Sequence, residues 1–324
     1  PKKILICNQD TGADLWDGEN WTKLPDGGDG YYGQLIDAAN ETHFFTCANS
    51  LFYENESDDK INLKNSNNCA HSKCPYTFLQ APQQPDVFYY ADREVFKSTN
   101  SGKSWCQISE FRKKTGLYFN PNGHIITSVE VAPSDSNIIY VSYNDEPNCC
   151  NSFLFKTEKG GMNCTGACTA PQQNDNWTYL SNTPHIETGN TKDDFVSNSF
   201  FRISGIAISD KNPNTLWICY ESYYPDNVPY KVYKSIDGGN SWAADETGLP
   251  DYSFKKIIYK NGSDDELFIG TWDGVYYKKG NSAWSRFGTG LPKVYVNDLE
   301  INYKTNQLRA ATYGRGVWEI DLPK

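Results

Sequence analysis

The sequence of 324 residues contains one methionine, four histidines and no long apolar run. A membrane-spanning helix needs about 18 or more consecutive apolar residues, so no segment is expected to cross a membrane. The first ten residues also lack the apolar core of a signal peptide. Basic residues are few, with 30 Lys and Arg against 40 Asp and Glu, and the net charge is −10. A nucleic-acid partner is therefore not expected, because phosphate binding needs clustered cations.

The composition favours many short β-strands. Aromatic residues make up 15% of the chain, led by 22 tyrosines, while the mean hydropathy is low at −0.66. Aromatic side chains favour strands, and a low hydropathy is typical of strands and turns that expose one face to water. The length is sufficient for one large all-β domain or two ordinary ones.

The ten cysteines are an even number, and several lie in polar, loop-like sequence. Such cysteines indicate disulfide bonds and an oxidising, extracellular location, because loop thiols have little use in a reducing cytosol. Six glycosylation sequons are compatible with a glycoprotein, although a chain rich in Asn, Ser and Thr produces several by chance. Their asparagines are Asn20, Asn40, Asn55, Asn163, Asn176 and Asn261.

Spacing alone leaves the disulfide connectivity open. Two cysteine pairs could each close a short loop, and two adjacent cysteines either bond to each other or elsewhere: Cys69 with Cys74, Cys164 with Cys168, and Cys149 with Cys150. Three others occupy strand positions where free core thiols fit: Cys7, Cys47 and Cys219. His71 lies between Cys69 and Cys74, but no second pair at zinc-site spacing accompanies it. We expect neither a metal nor another cofactor.

A short turn pattern recurs along the chain. KSTNSGKSW at 97–105 and KSIDGGNSW at 234–242 share Ser-x-Asp/Asn-x-Gly-x-Ser-Trp. Degraded copies end at Trp21 and Trp284, and a split copy runs from 157–161 to 176–177. A calcium loop needs several carboxylates, and each turn has one at most, so the turns are predicted to be structural. The pattern residues are Ser98, Asn100, Gly102, Trp105, Ser235, Asp237, Gly239 and Trp242.

Short apolar strands lie upstream of these turns. Seven such segments occur: ILICNQ, HFFTCA, VFYYAD, IIYVSY, TLWICY, ELFIGT and QLRAAT. Their spacing is about 46 residues, near that of four-stranded propeller blades. The pattern predicts an all-β, seven-bladed β-propeller. Neither end of the chain supplies a full blade, so a six-bladed ring with merged ends is the alternative.

The repeated turn resembles the Asp-box (BNR) repeat family of β-propellers. The C-terminal stretch LPKVYVNDLEINYKTNQLRAATYGRGVWEIDL is most similar to sortilin-like and xyloglucanase-like secreted bacterial propellers. The resemblance covers nearly the whole chain and implies a single propeller domain over residues 1–324. It also implies that the turn joins the third and fourth strands of a blade, away from the usual binding face. Proteins with this architecture have many different functions, so the resemblance does not predict which function this protein has.

Long insertions follow second strands and link blades, which in a propeller places them on one loop-rich face. Acids and aromatics alternate just after the second strands, and sugars favour this pairing because rings stack on pyranoses while carboxylates accept hydroxyl hydrogen bonds. The alternative is that these are the polar caps and tyrosine fillers of any propeller. The predicted ligand-binding residues are Asp92, Arg93, Tyr143, Asp145, Tyr220, Glu221, Trp272, Asp273, Tyr313 and Arg315, with Asp10 and Asn49 in the corresponding places of the first repeats.

Catalysis is the competing interpretation of the same acids. Glycoside hydrolysis needs two carboxyls roughly 5–10 Å apart, and Asp92, Asp145, Glu221 and Asp273 could supply them. The xyloglucanase-like relatives build their cleft between two propellers, however, and this chain has the length of one. A sialidase-like site would need an arginine triad, for which the candidates are Arg202, Arg93 and Arg315, but Ser204 replaces the proline of the Arg-Ile-Pro signature.

The prediction is a secreted or cell-surface propeller that binds a glycan or an extracellular protein without catalysis. The first alternative is a glycoside hydrolase, sialidase-like or β-glucanase-like, that uses carboxylates at the channel mouth. The second is a structural module of a larger surface assembly.

Overall fold

The protein was analysed as a computed structural model. It describes residues 3–8, 12–24, 30–38, 41–48, 77–102, 104–111, 124–145, 152–160, 176–184, 201–222, 231–251 and 253–323. Within these ranges no helix has the length and apolar character needed to cross a membrane. The chain divides into two compact units, residues 1–119 with 157–177, and residues 120–156 with 178–324.

The described residues form 24 antiparallel strands. The strands before residue 120 are β1 Ile4–Asn8, β2 Gly12–Trp16, β3 Trp21–Lys23, β4 Gly30–Ala38, β5 Glu41–Ala48, β6 Thr77–Gln80, β7 Phe88–Ala91, β8 Val95–Ser98 and β9 Cys106–Gln107. The next eight are β10 His124–Val131, β11 Ile139–Asp145, β12 Ser152–Thr157, β13 Trp177–Tyr179, β14 Phe201–Ile208, β15 Leu216–Ser222, β16 Val232–Ser235 and β17 Ala243–Ala244. The last seven are β18 Phe254–Tyr259, β19 Glu266–Thr271, β20 Gly274–Lys279, β21 Ser285–Arg286, β22 Val296–Asn302, β23 Gln307–Thr312 and β24 Gly316–Asp321.

Six meandering sheets of three or four strands are the blades of an all-β propeller. Four have four strands: β6–β9, β10–β13, β14–β17 and β18–β21. The other two, β1–β3 and β22–β24, have three each, and β4 with β5 forms a two-stranded sheet among the described residues. The predicted seven blades are therefore wrong. The count failed because HFFTCA, taken as the second strand of a full blade, lies in this two-stranded sheet.

The six-bladed alternative has the right number but gave the wrong reason for it. It required the two ends of the chain to merge into one blade. Instead, β1–β3 and β22–β24 are separate hydrogen-bonded sheets.

In the second unit, first strands of successive blades pack side by side, β10 beside β14, β14 beside β18 and β18 beside β22. Second strands are buried on both faces, as in β19, where every residue is buried. Their continuous apolar and β-branched runs fit this position, since both faces of such a strand pack against neighbouring sheets. Apolar side chains between blades, among them Trp217, Ile257, Leu267 and Ile269, form the core.

The turn Ser235–Trp242 joins β16 to β17, the third and fourth strands of its blade, as predicted. The Ser235 hydroxyl donates to Asp237 Oδ1 at 2.8 Å and accepts from the Gly239 amide at 2.8 Å. Asp237 Oδ1 also accepts from the Ser241 amide at 2.9 Å. Hydrogen bonds from Ser241, then from Ser235, hold the pKa of the Asp237 carboxyl down at about 2. These bonds satisfy the backbone of a turn that lies in water.

The first copy of the turn repeats this geometry with an amide in place of the acid. Ser98 Oγ donates to Asn100 Oδ1 at 3.0 Å and accepts from the Gly102 amide at 2.9 Å, and the Ser104 amide donates to Asn100 Oδ1 at 2.9 Å. Because the asparagine oxygen accepts the same hydrogen bonds as the aspartate oxygen, the turn requires an acceptor rather than a charge.

The tryptophans that close the turns differ in burial. Trp105, Trp177 and Trp284 are buried, and Trp242 packs partly buried against the core. Trp21 is exposed and packs on Trp16, with ring centroids 5.4 Å apart. The tryptophan of the pattern is therefore wholly or partly buried in four copies and exposed in the N-terminal one.

Among the described cysteines, three are free thiols: Cys7, Cys106 and Cys219. The thiols at positions 7 and 219 agree with the prediction, and burial raises the pKa of each to about 12. The side chain of Cys47 and all of the loop residues Cys69, Cys74, Cys149, Cys150, Cys164 and Cys168 lie outside the described residues.

Replacing Gly239 tests the packing of the turn. Gly239 has φ +91, and an added Cβ would lie 2.5 Å from Leu180 Cδ1, in the core. Gly262 has a similar φ of +77 but nothing within 4 Å of an added Cβ. We expect Gly262→Ala to cost about 1–2 kcal/mol of unfolding free energy from backbone strain alone, and Gly239→Ala to cost about 1–3 kcal/mol more from the clash.

Urea denaturation of both variants measures the difference. Equal losses of unfolding free energy would show that the contact with Leu180 relaxes without cost.

Candidate functional site

In the second unit, the start of each first strand lies beside the end of the second strand of the same blade. The register pairs Arg202 with Glu221, Phe254 with Thr271, and Val296 with Thr312. Side chains from three successive blades therefore meet at one end of the sheets. We call the residues that interact there the rim cluster: Arg202, Glu221, Lys255, Trp272, Asp273, Arg286, Tyr295 and Tyr313.

Glu221 is the centre of the rim cluster. Its carboxylate accepts from Arg202 Nε at 2.9 Å, from Lys255 Nζ at 2.8 and 3.0 Å, and from the Tyr295 hydroxyl at 2.9 Å. Burial by itself would raise the pKa of Glu221, but Lys255 and Arg202 outweigh it and the pKa is lowered. Burial, and then the charge of Glu221, raises the pKa of Tyr295, so the phenol stays protonated and donates.

A β-bulge directs Lys255 towards Glu221. The register of β18 against β19 shifts between Phe254 and Lys256, which leaves Lys255 as the extra residue. A bulge locally re-aims a side chain. Lys255 therefore reaches the end of the preceding blade's second strand.

The same bulge occurs in β10 and β14, with Thr127 and Ser204 as the extra residues. The Ser204 hydroxyl donates to the Phe254 carbonyl at 2.7 Å, and the Thr127 hydroxyl donates to the Ile203 carbonyl at 2.5 Å. In both cases the bulged side chain ties its blade to the next one. Lys255 makes a charged contact with the blade before it instead.

Exposed aromatic rings border this charged centre. Trp272 follows β19 with half of its surface exposed, and its ring centroid lies 5.1 Å from that of Tyr295. Tyr313 follows β23, is 71% exposed, and donates its amide to the Tyr295 carbonyl at 2.9 Å. Tyr295 therefore links the Trp272 ring and the backbone of Tyr313 to the Glu221 carboxylate.

Asp273 is occupied within its own turn. Its Oδ1 accepts from the Thr271 hydroxyl at 3.0 Å, and Arg286 Nη1 lies 3.8 Å from its Oδ2. The Tyr276 hydroxyl lies 3.5 Å from the same Oδ2.

The other predicted binding residues are placed differently. Tyr143 and Tyr220 are buried; the Tyr220 hydroxyl donates to the Pro184 carbonyl at 2.6 Å, and Tyr143 packs edge-on against Phe155. Arg315 is exposed in the turn that holds Tyr313. The two buried tyrosines correspond to the filler interpretation of this pattern.

In the first unit, Asp92 is buried and accepts the amides of Arg93 and Glu94 within its own turn. Arg93 beside it is half-buried. The side chain of Asp145 and all of Asp10 and Asn49 lie outside the described residues.

These contacts limit what the predicted acids can do chemically. A general acid or nucleophile needs a carboxyl free to face a reacting bond. Glu221 is saturated by two cations and a phenol, and Asp92 and Asp273 stabilise their own turns. Each of these three described carboxyls is therefore engaged by neighbouring groups.

Lys255, Tyr295 and Arg286 were not singled out from the sequence. Lys255 and Tyr295 lie at or just before first strands, whereas the alternation of acids and aromatics in the sequence marks the ends of second strands. The recurring bulge could have pointed to Lys255, but a bulge leaves no clear sequence signal. Arg202, considered only as part of an arginine triad, pairs with Glu221 instead.

A second charged group lies further along the first strands of this unit. Lys256 Nζ is 3.9 Å from Glu130 Oε1, although β10 and β18 are separated by β14. Burial would lower the pKa of Lys256, but Asp298 and Glu130 outweigh it and the pKa is raised. In the part of the chain that the structure describes, no group of three or more potential metal ligands is present.

No protein-family model matches this sequence, and no curated protein matches it. Solved structures do match its fold. An ancestral GH74 enzyme is 13% identical with a TM-score of 0.66, over 100% of this chain and 43% of that one.

Two further structures come from bacterial surfaces. The extracellular domain of the one-component system BT4673 from B. thetaiotaomicron is 12% identical with a TM-score of 0.61, over 99% of this chain and 39% of that one. PorZ, a surface component of the type-IX secretion system of Porphyromonas gingivalis, is 12% identical with a TM-score of 0.60, over 97% and 44%. The chain thus spans less than half of these proteins, and the similarity establishes a β-propeller fold.

The lowered pKa of Glu221 predicts a pH dependence of stability. Its folded pKa lies below the unfolded value, so its contribution is present above the ordinary carboxyl range and is lost as pH falls through the lowered pKa. We expect Glu221→Gln to remove about 1–3 kcal/mol at pH 7, because Arg202 and Lys255 lose their partner, and to lose less below about pH 4. Urea denaturation between pH 3 and 8 measures this.

Glu300→Gln is the contrasting control. Burial, opposed by Arg309, raises the pKa of Glu300, so its contribution is present below the ordinary range and is lost as pH rises through the raised value. Its removal should favour folding at pH 7 relative to pH 4, opposite in sign to Glu221→Gln. The same sign for both variants would contradict the assigned role of Glu221.

Proposed function

We propose that residues 1–324 form one propeller domain of the Asp-box type that binds a saccharide at the rim cluster without cleaving it. The observation that carries the proposal is the exposed Trp272 ring, which packs on the Tyr295 ring while the Tyr295 hydroxyl binds Glu221. The exposed Tyr313 joins this group through its backbone amide, which donates to the Tyr295 carbonyl. Exposed aromatic faces stack on the C–H surfaces of sugars, and fixed polar groups around them orient the hydroxyls.

The arrangement is preorganised, which favours binding. Tyr295 contacts Trp272 through its ring and Glu221 through its hydroxyl, at 2.9 Å. A ligand that meets rings already held by the fold loses less ordering entropy on binding. Rigid aromatic anchors of this kind dominate many recognition surfaces.

We place the protein outside the cell, either secreted or at the cell surface. Two structures with the same fold are an extracellular domain and a surface component. The loop cysteines of the sequence fit an oxidising location. Membership of a larger surface assembly remains compatible with saccharide binding, because a propeller offers more than one face.

Removing an exposed ring tests the proposed site. A glycan array identifies a bound saccharide, and titration calorimetry then compares variants with the unaltered protein. We expect Trp272→Ala and Tyr313→Ala each to weaken binding about tenfold or more, as loss of a stacked ring costs about 1–3 kcal/mol.

Tyr303→Ala is the matched control, since Tyr303 is 52% exposed at the opposite end of β22. Its loss should leave the affinity unchanged. An equal effect of all three substitutions would place the binding site elsewhere.

Hydrolysis assays on β-glucans and sialosides test the enzymatic alternative. We expect no turnover, because Glu221 and Asp273 are engaged by neighbouring side chains. Turnover that disappears in Glu221→Gln or Asp273→Asn would overturn the non-catalytic proposal. Thermal melting of both variants separates this outcome from unfolding.

A further inference from the structure

We infer that the saccharide bound at the rim cluster is acidic, and that its carboxylate or sulfate group contacts Lys255 and Arg202. This inference rests on the proposed function and names the chemical class of its ligand. It comes from the way the ion pairs of the rim cluster are oriented relative to water.

In both ion-paired sets of the rim cluster the carboxylate is the more buried partner. The Glu221 side chain is 16% exposed beneath Arg202 and Lys255, each 32% exposed. The Asp273 side chain is 14% exposed and that of Arg286 is 34% exposed. Each carboxylate thus lies below its cations, and the surface that a ligand meets is cationic.

Other ion pairs in the same unit are oriented the opposite way. Lys231 is 3% exposed against 75% for Asp251, and Arg309 is 9% exposed against 36% for Glu319. There the carboxylate faces water, as the chain's net charge of −10 leads one to expect. Glu266, which pairs with two lysines, is an exception. Among the described residues, however, no aromatic side chain links Glu266 to an exposed tryptophan as Tyr295 links Glu221 to Trp272.

The rim cluster also has a charge surplus of the right sign. It contains three cations, Arg202, Lys255 and Arg286, and two carboxylates, Glu221 and Asp273. Two acids lie further along β22, Asp298 and Glu300, and their charges raise the pKa of Lys256 instead. A cationic patch on an acidic protein attracts anions locally while the rest of the surface repels them.

The chemistry of the cations suits a charged sugar substituent. Guanidinium and ammonium groups form their strongest hydrogen bonds with anionic oxygens, and the Lys255 ammonium has a third N–H besides the two contacts that it makes with Glu221. A pyranose stacked on Trp272 would carry a ring substituent towards Lys255, whose partner Glu221 also binds Tyr295. Carboxylates of uronic acids and sulfate esters both supply such oxygens.

Two matched pairs of saccharides test the inference on the full chain. The first compares an oligogalacturonate with its methyl ester, which keeps the sugar and removes the charge. The second compares chondroitin sulfate oligosaccharides with unsulfated chondroitin, which separates sulfate from carboxylate. In at least one pair we expect the more anionic saccharide to bind about tenfold or more tightly than its partner, and this preference to shrink between 50 and 500 mM NaCl, because salt screens exposed charges. Unsulfated chondroitin still carries carboxylates, so a preference confined to the second pair identifies sulfate as the bound group.

Lys255→Gln and Lys211→Gln are the matched variants. Both lysines form ion pairs in the second unit, but Lys211 pairs with Asp264 beyond the opposite end of β14. Lys255→Gln should weaken binding of the acidic saccharide about tenfold and leave that of the neutral one nearly unchanged, whereas Lys211→Gln should affect neither. Thermal melting reports whether Lys255→Gln remains folded, and Arg202→Gln provides a second cation removal if it does not.

The outcomes separate the two proposals. Equal affinity within both pairs of saccharides would overturn the inference that the ligand is acidic, while leaving saccharide binding in place. Absence of binding to any saccharide on the array would overturn the proposed function and this inference together. An acidic preference that survives both Lys255→Gln and Arg202→Gln would show that the anion is bound elsewhere.

Discussion

The bulge in the first strand of successive blades is the constraint on which the candidate site depends. A strand with strict alternation would place every second side chain on one face, and the extra residue breaks that alternation at one point. In β10 and β14 the released side chain, Thr127 or Ser204, hydrogen-bonds to the next blade. In β18 the released residue is Lys255, and the same backbone feature places an ammonium group beside Glu221. The bulge that joins blades in β10 and β14 therefore supplies a cation to the rim cluster in β18.

Burial determines how that charge is presented. Carboxylates deep in the rim cluster are stabilised by their cations, and they in turn fix the cations at the surface. Ion pairs of this kind contribute little to stability when exposed and depend on complete hydrogen bonding when buried. Glu221 meets the second condition through Arg202, Lys255 and Tyr295. These contacts fix the side chains of the rim cluster, and the buried Glu221 carboxylate keeps its partners.

The repeated turns serve a different purpose from the rim cluster. In the two full copies, Ser235 with Asp237 and Ser98 with Asn100, side-chain oxygens bind the turn amides. The turns join third to fourth strands, and residues at the rim follow second strands, so the chain sequence separates structural and candidate functional segments. Much of the fold could be predicted from these turns, including the blade strand order. Five of the seven apolar segments are second strands of blades, whereas ILICN forms β1, the first strand of its sheet, and HFFTCA lies in the two-stranded sheet. The number of blades could not be predicted, because one strand-like segment does not reveal how many strands its sheet contains.

The sequence by itself determined the all-β character, the turn chemistry and the exposed Trp272 and Tyr313, because hydrogen-bonding side chains and apolar strands act locally along the chain. Only the tertiary structure decided that Tyr143 and Tyr220 fill the core while Tyr295 contacts Glu221, since burial depends on what the neighbouring blade supplies. It also decided the state of each carboxyl. Whether an acid is free, paired or held in a turn depends on residues far away in sequence, such as the cations that surround Glu221, and no local pattern records those partners.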